Sequence, residues 1–277
     1  MEVGSMFHRI GFTADSKASA EIISSHGTEP VRGTPAKSVV RVHFPARNMT
    51  LPYYNDSFDL KIGDIVYVDG KLEGLRGRVV DITYNFKIKL SDYKRVISVV
   101  DTEVKGELFF AGSHFITFDP TVLPYNKVIL WFKAPDKEDT LYASGNDDSS
   151  FNLNDLSTMK ISHDVAERGH DYYMESRVRY ICLNGTKGRA IVEGSQIYEL
   201  EFDCRNGEIW NLICTCFCSY PCKHEFAAIL QLRETLEIIA KNYESEHQET
   251  NYFAAIAKAP LISIAVDGKE TGSIILT

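Results

Sequence analysis

The sequence predicts an α+β fold that is mostly antiparallel β, and three observations carry that expectation. Short runs of β-branched and aromatic residues, broken by Gly and Asn turns, recur over residues 38–105 and again over 159–213. One long stretch, residues 223–243, carries a sustained helical period of apolar residues. Between the second set of runs and that helix, four cysteines and a histidine fall within the eleven residues from Cys214 to His224. The expected architecture is an N-terminal small β-barrel-like domain, then a β-meander with a helix anchored by the Cys/His cluster.

Length and composition bound the rest. A chain of 277 residues suffices for two ordinary domains, and 44% hydrophobic with 25% charged residues is average for a soluble globular protein. No apolar run reaches the roughly 18 residues of a membrane span. Residues 1–11 lack the basic start and apolar core of a secretory leader. Four of the six cysteines cluster with a histidine at metal-ligand spacing, which points to a reducing, cytoplasmic setting. No membrane contact and no small-molecule substrate is expected.

In chain order, residues 1–36 are rich in Ser, Gly, Thr, Ala and Pro and read as a flexible arm, with a short helix at Ser16–Ser24 at most. Residues 37–132 read as the small barrel-like domain. Val39–Phe44 alternates as a strand, Leu60–Val68 turns at Gly63 into another, and Arg78–Tyr84 is a third. Lys87–Leu90 is expected to pair with Val96–Val100. Leu108–Phe110, His114–Phe118 and Val128–Phe132 continue the β character, as an extension of the barrel or a hairpin packed on it. The run Val128–Phe132 is continuously apolar and reads as a buried strand.

Residues 133–158 form an acidic linker, with Asp136, Glu138, Asp139, Asp147, Asp148 and Asp155 among Ser, Asn and Gly. Residues 159–243 hold the meander and the helix. Its strands are expected at Tyr172–Tyr173, Val178–Cys182, Gly188–Glu193, Gln196–Phe202 and Ile209–Ile213. Asn184-Gly185 and Asn206-Gly207 are turns, since Asn and Gly accept positive φ. Residues 244–277 read as a tail, with a helical segment over 251–258 and a hairpin of Leu261–Val266 with Ser273–Leu276 around Asp267-Gly268.

The chemistry concentrates in Cys214-Thr-Cys216-Phe-Cys218-Ser-Tyr-Pro-Cys222-Lys-His224. A structural zinc ion takes four nitrogen or sulfur ligands at tetrahedral corners and leaves no position open. Cys222 and His224 supply two. The Cys-x-Cys-x-Cys run leaves open which two of Cys214, Cys216 and Cys218 supply the others. The stretch resembles the bacterial-type SWIM zinc finger, whose signature is C-x-C, a spacer, then C-x-H. Arg168–Tyr173, Arg177–Arg179, Ala190–Ser195 and Tyr198–Leu200 resemble the strands before that finger, and Ala227–Leu230 resembles its helix. The resemblance covers about residues 165–240. It implies Cys214, Cys216, Cys222 and His224 as the ligands of one structural zinc ion, with Cys218 a departure from the pattern.

Enzymatic chemistry finds no constellation. His224-Glu225-Phe226-Ala227-Ala228 has Ala228 where a zinc protease carries its second histidine, so Glu225 is not set up as a general base. The chain holds no G-x-x-x-x-G-K-[ST] phosphate loop and no G-x-S-x-G elbow. The expectation is a non-enzymatic binding protein.

The resemblance implies nucleic-acid binding or protein–protein contact, often beside helicase or transposase modules. Net charge is −8, which weakens the first reading, but the charge is uneven. Residues 37–105 hold 12 Lys and Arg against 9 Asp and Glu, whereas residues 106–167 hold 4 against 10. Arg76, Arg78, Lys87 and Lys89 alternate with Tyr84 and Phe86, a pattern that suits single strands, although any solvated sheet face shows it. Lys223 and Arg233 are the candidate phosphate contacts beside the metal. The alternative is an adapter that docks a separate partner such as a helicase or ATPase.

Overall fold

The computed structural model describes residues 10–11, 35–136, 149–216, 218, 221–267 and 275–276. The expected arm lies outside these residues, apart from the two-residue strand β1 (Ile10–Gly11) and residues 35–36.

The first sheet is antiparallel and contains β2 (Ser38–Phe44), β3 (Met49–Asn55), β4 (Ile65–Val68), β5 (Gly77–Thr83) and β6 (Val96–Val100). The spatial order is β3-β2-β5-β4-β6. Alternation in β2 sends Val40, Val42 and Phe44 inward and Arg41 to solvent. They join Tyr53, Leu60, Val66, Val68 and Val79 in one core. Gly77 permits β5 to close on β2, since a Cβ there would lie 2.3 Å from a Val42 methyl.

This sheet is not a closed barrel. Its edge strands β3 and β6 meet at a single parallel bridge, Tyr54 with Arg95. Lys87–Leu90 does not pair with β6, which pairs with β4; Leu90–Asp92 is a 3-10 turn. Strand β3 lies outside the expected strands, and Pro52 interrupts its apolar run. Pro52 is tolerated because β3 is an edge strand with no ladder partner on its outer side.

The second sheet has eight strands. The hairpin β7 (Phe109–Ala111) and β8 (His114–Thr117) belongs to it and does not extend the first sheet. The chain continues through α1 (Tyr125–Val128), a 3-10 turn at Ile129–Trp131, β9 (Ser150–Asn152) and α2 (His163–Met174). Then come β10 (Val178–Asn184), β11 (Lys187–Glu193), β12 (Ile197–Arg205), β13 (Glu208–Cys214) and α3 (Lys223–Asn242). The chain closes with α4 (Glu244–Thr250), β14 (Tyr252–Ala257), α5 (Lys258–Asp267) and β15 (Ile275–Leu276), which pairs with β1. The order in the large sheet is β7-β8-β14-β10-β11-β12-β13-β9, antiparallel throughout.

The α+β class and the meander β10 to β13 match the expectation, and several elements differ. Val128–Phe132 is helical rather than extended: Pro124 caps α1, and a five-residue apolar run carries no period to tell the two apart. Tyr172–Tyr173 lies in α2. Residues 252–257, expected helical, form β14, with all six residues buried at the sheet centre. Leu261–Val266 lies in α5, so the expected hairpin does not form. Residues 137–148 of the acidic linker lie outside the described residues. The remainder is not wholly solvated: Phe151 and Leu153 are buried in the core of the large sheet, and Asp155 accepts from the Ser157 N–H.

Strand alternation gives the large sheet two apolar faces. One carries Ile181, Leu183, Ala190, Val192, Leu200 and Phe202 and is covered by α3, with α2 packed on α3. The other carries Tyr180, Cys182, Ile191, Ala254 and Ile256. On that side pack Trp131, Leu261 and, from the first sheet, Ile65, Tyr67 and Val100. The Tyr67 hydroxyl donates to the Leu130 carbonyl at 3.1 Å, tying the small sheet to the turn after α1.

Candidate metal centre

The four residues that the resemblance implies as ligands, Cys214, Cys216, Cys222 and His224, converge at the end of β13 and the start of α3. Cys214 ends β13, opposite Leu200 of β12. Cys216 follows in the loop. That loop is pinned to β12 because the Thr215 N–H donates to the Glu199 carbonyl at 3.0 Å, and the Glu199 N–H donates to the Thr215 hydroxyl at 3.0 Å. Cys222 is the N-cap of α3, and His224 sits in its first turn.

One ligand atom from each of Cys214, Cys216, Cys222 and His224 lies within 4.8 Å of all the others. The Cys214 and Cys222 sulfurs are 3.9 and 3.8 Å from His224 Nδ1. Zinc–sulfur and zinc–nitrogen bonds of about 2.3 and 2.0 Å set a tetrahedral sulfur–nitrogen edge of about 3.6 Å. A contraction of a few tenths of an ångström brings these two edges to that length, and four ligand atoms within 4.8 Å are compatible with one bound metal ion such as zinc. Cys218 is exposed and stands outside the group; Cys182 and Cys204 are buried in β10 and β12.

The electrostatics of the donor set also suit a cation. A hydrogen bond with the Cys214 thiol, burial, and the Glu225 carboxylate hold the Cys222 thiol well above the ordinary thiol range. Burial first, with Cys222 adding, pushes Cys216 up to about 12. Burial, helped by Lys223, lowers His224 to about 4, so its imidazole stays neutral. Crowded sulfurs that resist ionising one beside another are those whose protons a dication replaces.

The surroundings were less visible in the sequence. Glu225 is 4% exposed and completes a capping box: its N–H points at Cys222 Sγ at 3.4 Å, and its carboxylate accepts the Cys222 N–H at 2.6 Å. The signal was Cys222-x-x-Glu225, obscured because the capping residue is cysteine. Tyr198 stacks on the His224 ring at 4.0 Å, and Tyr172 of α2 meets its edge at 5.4 Å. Gly169 brings α2 against the start of α3, since a Cβ there would sit 2.9 Å from the Lys223 carbonyl.

The candidate phosphate contacts do not share one surface. The Lys223 ammonium lies 4.5 Å from the centre of the Tyr172 ring, beside the metal ligands. Arg233 lies further along α3, 3.9 Å from Glu237. Arg76 is half-buried, Arg78 donates to the Gly63 carbonyl at 3.2 Å, and Lys87 and Lys89 are exposed after β5. The last four belong to the small-sheet region, which packs on the face of the large sheet opposite α3.

Comparison of the chain with known protein families, with curated proteins and with solved structures finds no match. No helix among the described residues is long and apolar enough to cross a membrane.

Proposed function

We propose that this chain is a zinc-binding, non-enzymatic module of the SWIM type that works on nucleic acid. The observation that carries the reading is the convergence of Cys214, Cys216, Cys222 and His224 within 4.8 Å, with two of the four in the opening turn of a 20-residue helix. Three sulfurs and an imidazole fill a tetrahedral ion, so the metal braces β13 against α3 and has no position left for a substrate. Glu225, an acid beside it, is engaged in the helix cap. Lys223 supports the nucleic-acid role. It sits next to the metal ligands, and among the described residues it forms no ion pair.

The test is a salt titration of zinc-loaded protein against single-stranded and duplex DNA and RNA, with Cys222→Ser in parallel. Phosphate contacts release counterions, so affinity should fall linearly on a log–log salt plot. Binding lost in Cys222→Ser assigns it to the metal-braced region. Binding kept in that variant assigns it to the small sheet. No binding at low salt overturns the reading.

A second reading, a protein adapter, is favoured by a different observation. A cavity of about 580 Å³ opens between the start of β7, the turn after β8, and α4. Its walls carry Glu107, Asp119, Glu246 and Glu249 beside Phe109 and Phe118, and no Lys or Arg lines it. That chemistry suits a basic protein surface, such as one on a helicase or ATPase subunit. Capture of such a partner through this groove would resist a Cys222→Ser change and would be lost in Glu246→Lys.

A further inference from the structure

Two cations from separate elements converge on one aromatic ring beside the candidate metal centre. The Lys223 ammonium and the Arg177 guanidinium lie 4.5 and 4.7 Å from the centre of the Tyr172 ring. These two distances add to 9.2 Å, so the charges stand no further apart than that. The same ring meets His224 at 5.4 Å. Lys223, Arg177 and Tyr172 are all partly exposed.

The local fold builds this pairing. α2 ends in a left-handed stop: Ser176 has a φ of 53°, its N–H donates to the Tyr173 carbonyl, and the Arg177 N–H donates to the Tyr172 carbonyl, both at 2.9 Å. Serine there lacks the backbone freedom of the glycine usual at such a stop. The reversal lays Arg177 back over the last turn of α2. Lys223 comes from α3, as its first residue, where Gly169 lets α2 approach. The first turn of a helix carries the positive end of the dipole, which disfavours a lysine and favours an anion beside it. Nearby acids are engaged: Glu193 with Arg179 at 2.7 Å, Glu225 with the Cys222 N–H at 2.6 Å, and Glu175 with Arg177. Of these, Glu175 alone competes for a member of the pair. Both side chains of that ion pair are more than a third exposed, where such a contact is weak and a ligand can replace it.

We infer that Lys223 and Arg177 form a clamp for one phosphate of a nucleic-acid backbone, with Tyr172 as the positioning residue that holds both. Charge-assisted bonds of about 2.8 Å from each side let the free oxygens of a single phosphate span the gap. The ring restricts two long side chains before the ligand arrives, so less freedom is lost on binding. Such a contact fixes the position of the strand and reads no sequence. The inference deepens the nucleic-acid reading above and rests on it: it adds Arg177 to Lys223 and makes the two one contact.

The experiment measures the salt dependence of binding by zinc-loaded full-length protein to fluorescein-labelled single-stranded and duplex DNA and RNA. Wild type is compared with Arg177→Ala, Lys223→Ala, the double variant and Arg177→Lys. Either alanine variant should make the log–log salt slope shallower by about one, and the double variant by no more than about one, because the same phosphate is lost each time. The two single losses should therefore sum to more than the double loss. Arg177→Lys keeps the charge and should keep the slope, which separates a lost phosphate from a disturbed turn after α2. A wild-type slope in Arg177→Ala, or a double variant that loses about two units, overturns the clamp and leaves the nucleic-acid reading standing. No binding by the wild type at low salt overturns both.

Discussion

Cys222 and Glu225 hold one another across the first turn of α3. The Glu225 N–H points at the Cys222 sulfur at 3.4 Å, and the Glu225 carboxylate receives the Cys222 N–H at 2.6 Å. One residue is therefore both a metal-ligand candidate and the helix cap. The N–H aimed at the sulfur favours its thiolate form, whereas the neighbouring Glu225 carboxylate opposes it. Glu225→Ala would strip the N-cap N–H of a buried partner and should destabilise the protein by about 1–2 kcal/mol. Urea denaturation of zinc-loaded protein reads this, and an unchanged midpoint would count against the cap.

Metal removal should have a larger effect. Structural zinc contributes on the order of 10 kcal/mol in small fingers. Chelation of the wild type should lower the thermal midpoint by roughly 10 °C or more. Cys222→Ser should melt at that lower temperature with or without added zinc. A wild-type midpoint indifferent to chelator would contradict the zinc assignment.

Gly169→Ala separates propensity from packing. Alanine in a helix interior gains about 1 kcal/mol over glycine. Here the new Cβ meets the Lys223 carbonyl and the Phe226 Cβ, both at 2.9 Å. Overpacking against a backbone atom costs about 1–3 kcal/mol. The variant should be less stable than wild type by roughly 1 kcal/mol. A stabilised variant in denaturant titration would show that α2 simply moves away.

His114 should make the fold acid-sensitive. It is fully buried, with Nε2–H donating to the Val178 carbonyl at 2.7 Å and Nδ1 accepting from Ser113 at 2.9 Å. Burial lowers it from 6.5 to about 4; the Val178 carbonyl opposes that shift, and Lys258 and Arg179 add to it. The folded state thus stays neutral where the unfolded chain has already taken a proton. The stability at stake is intact above pH 6.5 and is lost as pH falls toward 4, to a total on the order of 3 kcal/mol. Unfolding free energies measured between pH 7.5 and 4 should show this slope, and His114→Gln should flatten it.

The two basic sets should act separately in any nucleic-acid assay. They lie on opposite sides of the large sheet, so their effects should add without coupling. Under the nucleic-acid reading, Lys223→Ala or the pair Lys87→Ala and Lys89→Ala, not both, should reduce the salt slope by about one unit per lost phosphate contact. Equal losses from both sets would require the ligand to wrap the molecule.

Much of this was legible in the sequence where local chemistry decides the outcome. Strands β10 and β12 are runs of β-branched and aromatic residues that end in the Asn184-Gly185 and Asn206-Gly207 turns. The 214–224 ligand spacing needs no tertiary partner to be recognised. Elsewhere burial overrode local pattern. Tyr172 and Tyr173 read as strand because aromatic pairs favour extended chain, yet α2 packs on α3 through Gly169. Residues 252–257 are rich in alanine and read as helix, yet they are strand β14, buried on both faces and paired with β8 on one side and β10 on the other. The rings packed on His224, Tyr172 of α2 and Tyr198 of β12, lie outside the Cys214–His224 run, and no spacing rule points to them.

The placement of β14 has a consequence for synthesis. β8 joins the large sheet solely through β14, pairing Thr117 with Ala254 and His114 with Ala257. About 140 residues therefore leave the ribosome between the β7–β8 hairpin and the strand that secures it. At typical translation rates that wait is on the order of 10–30 s. Throughout it the nascent hairpin offers unpaired backbone, joined by the β10 edge once residues 178–184 are made. A chain interrupted before residue 257 presents two open edges flanked by apolar faces, the kind of intermediate that holdase chaperones bind and that aggregates when they are absent.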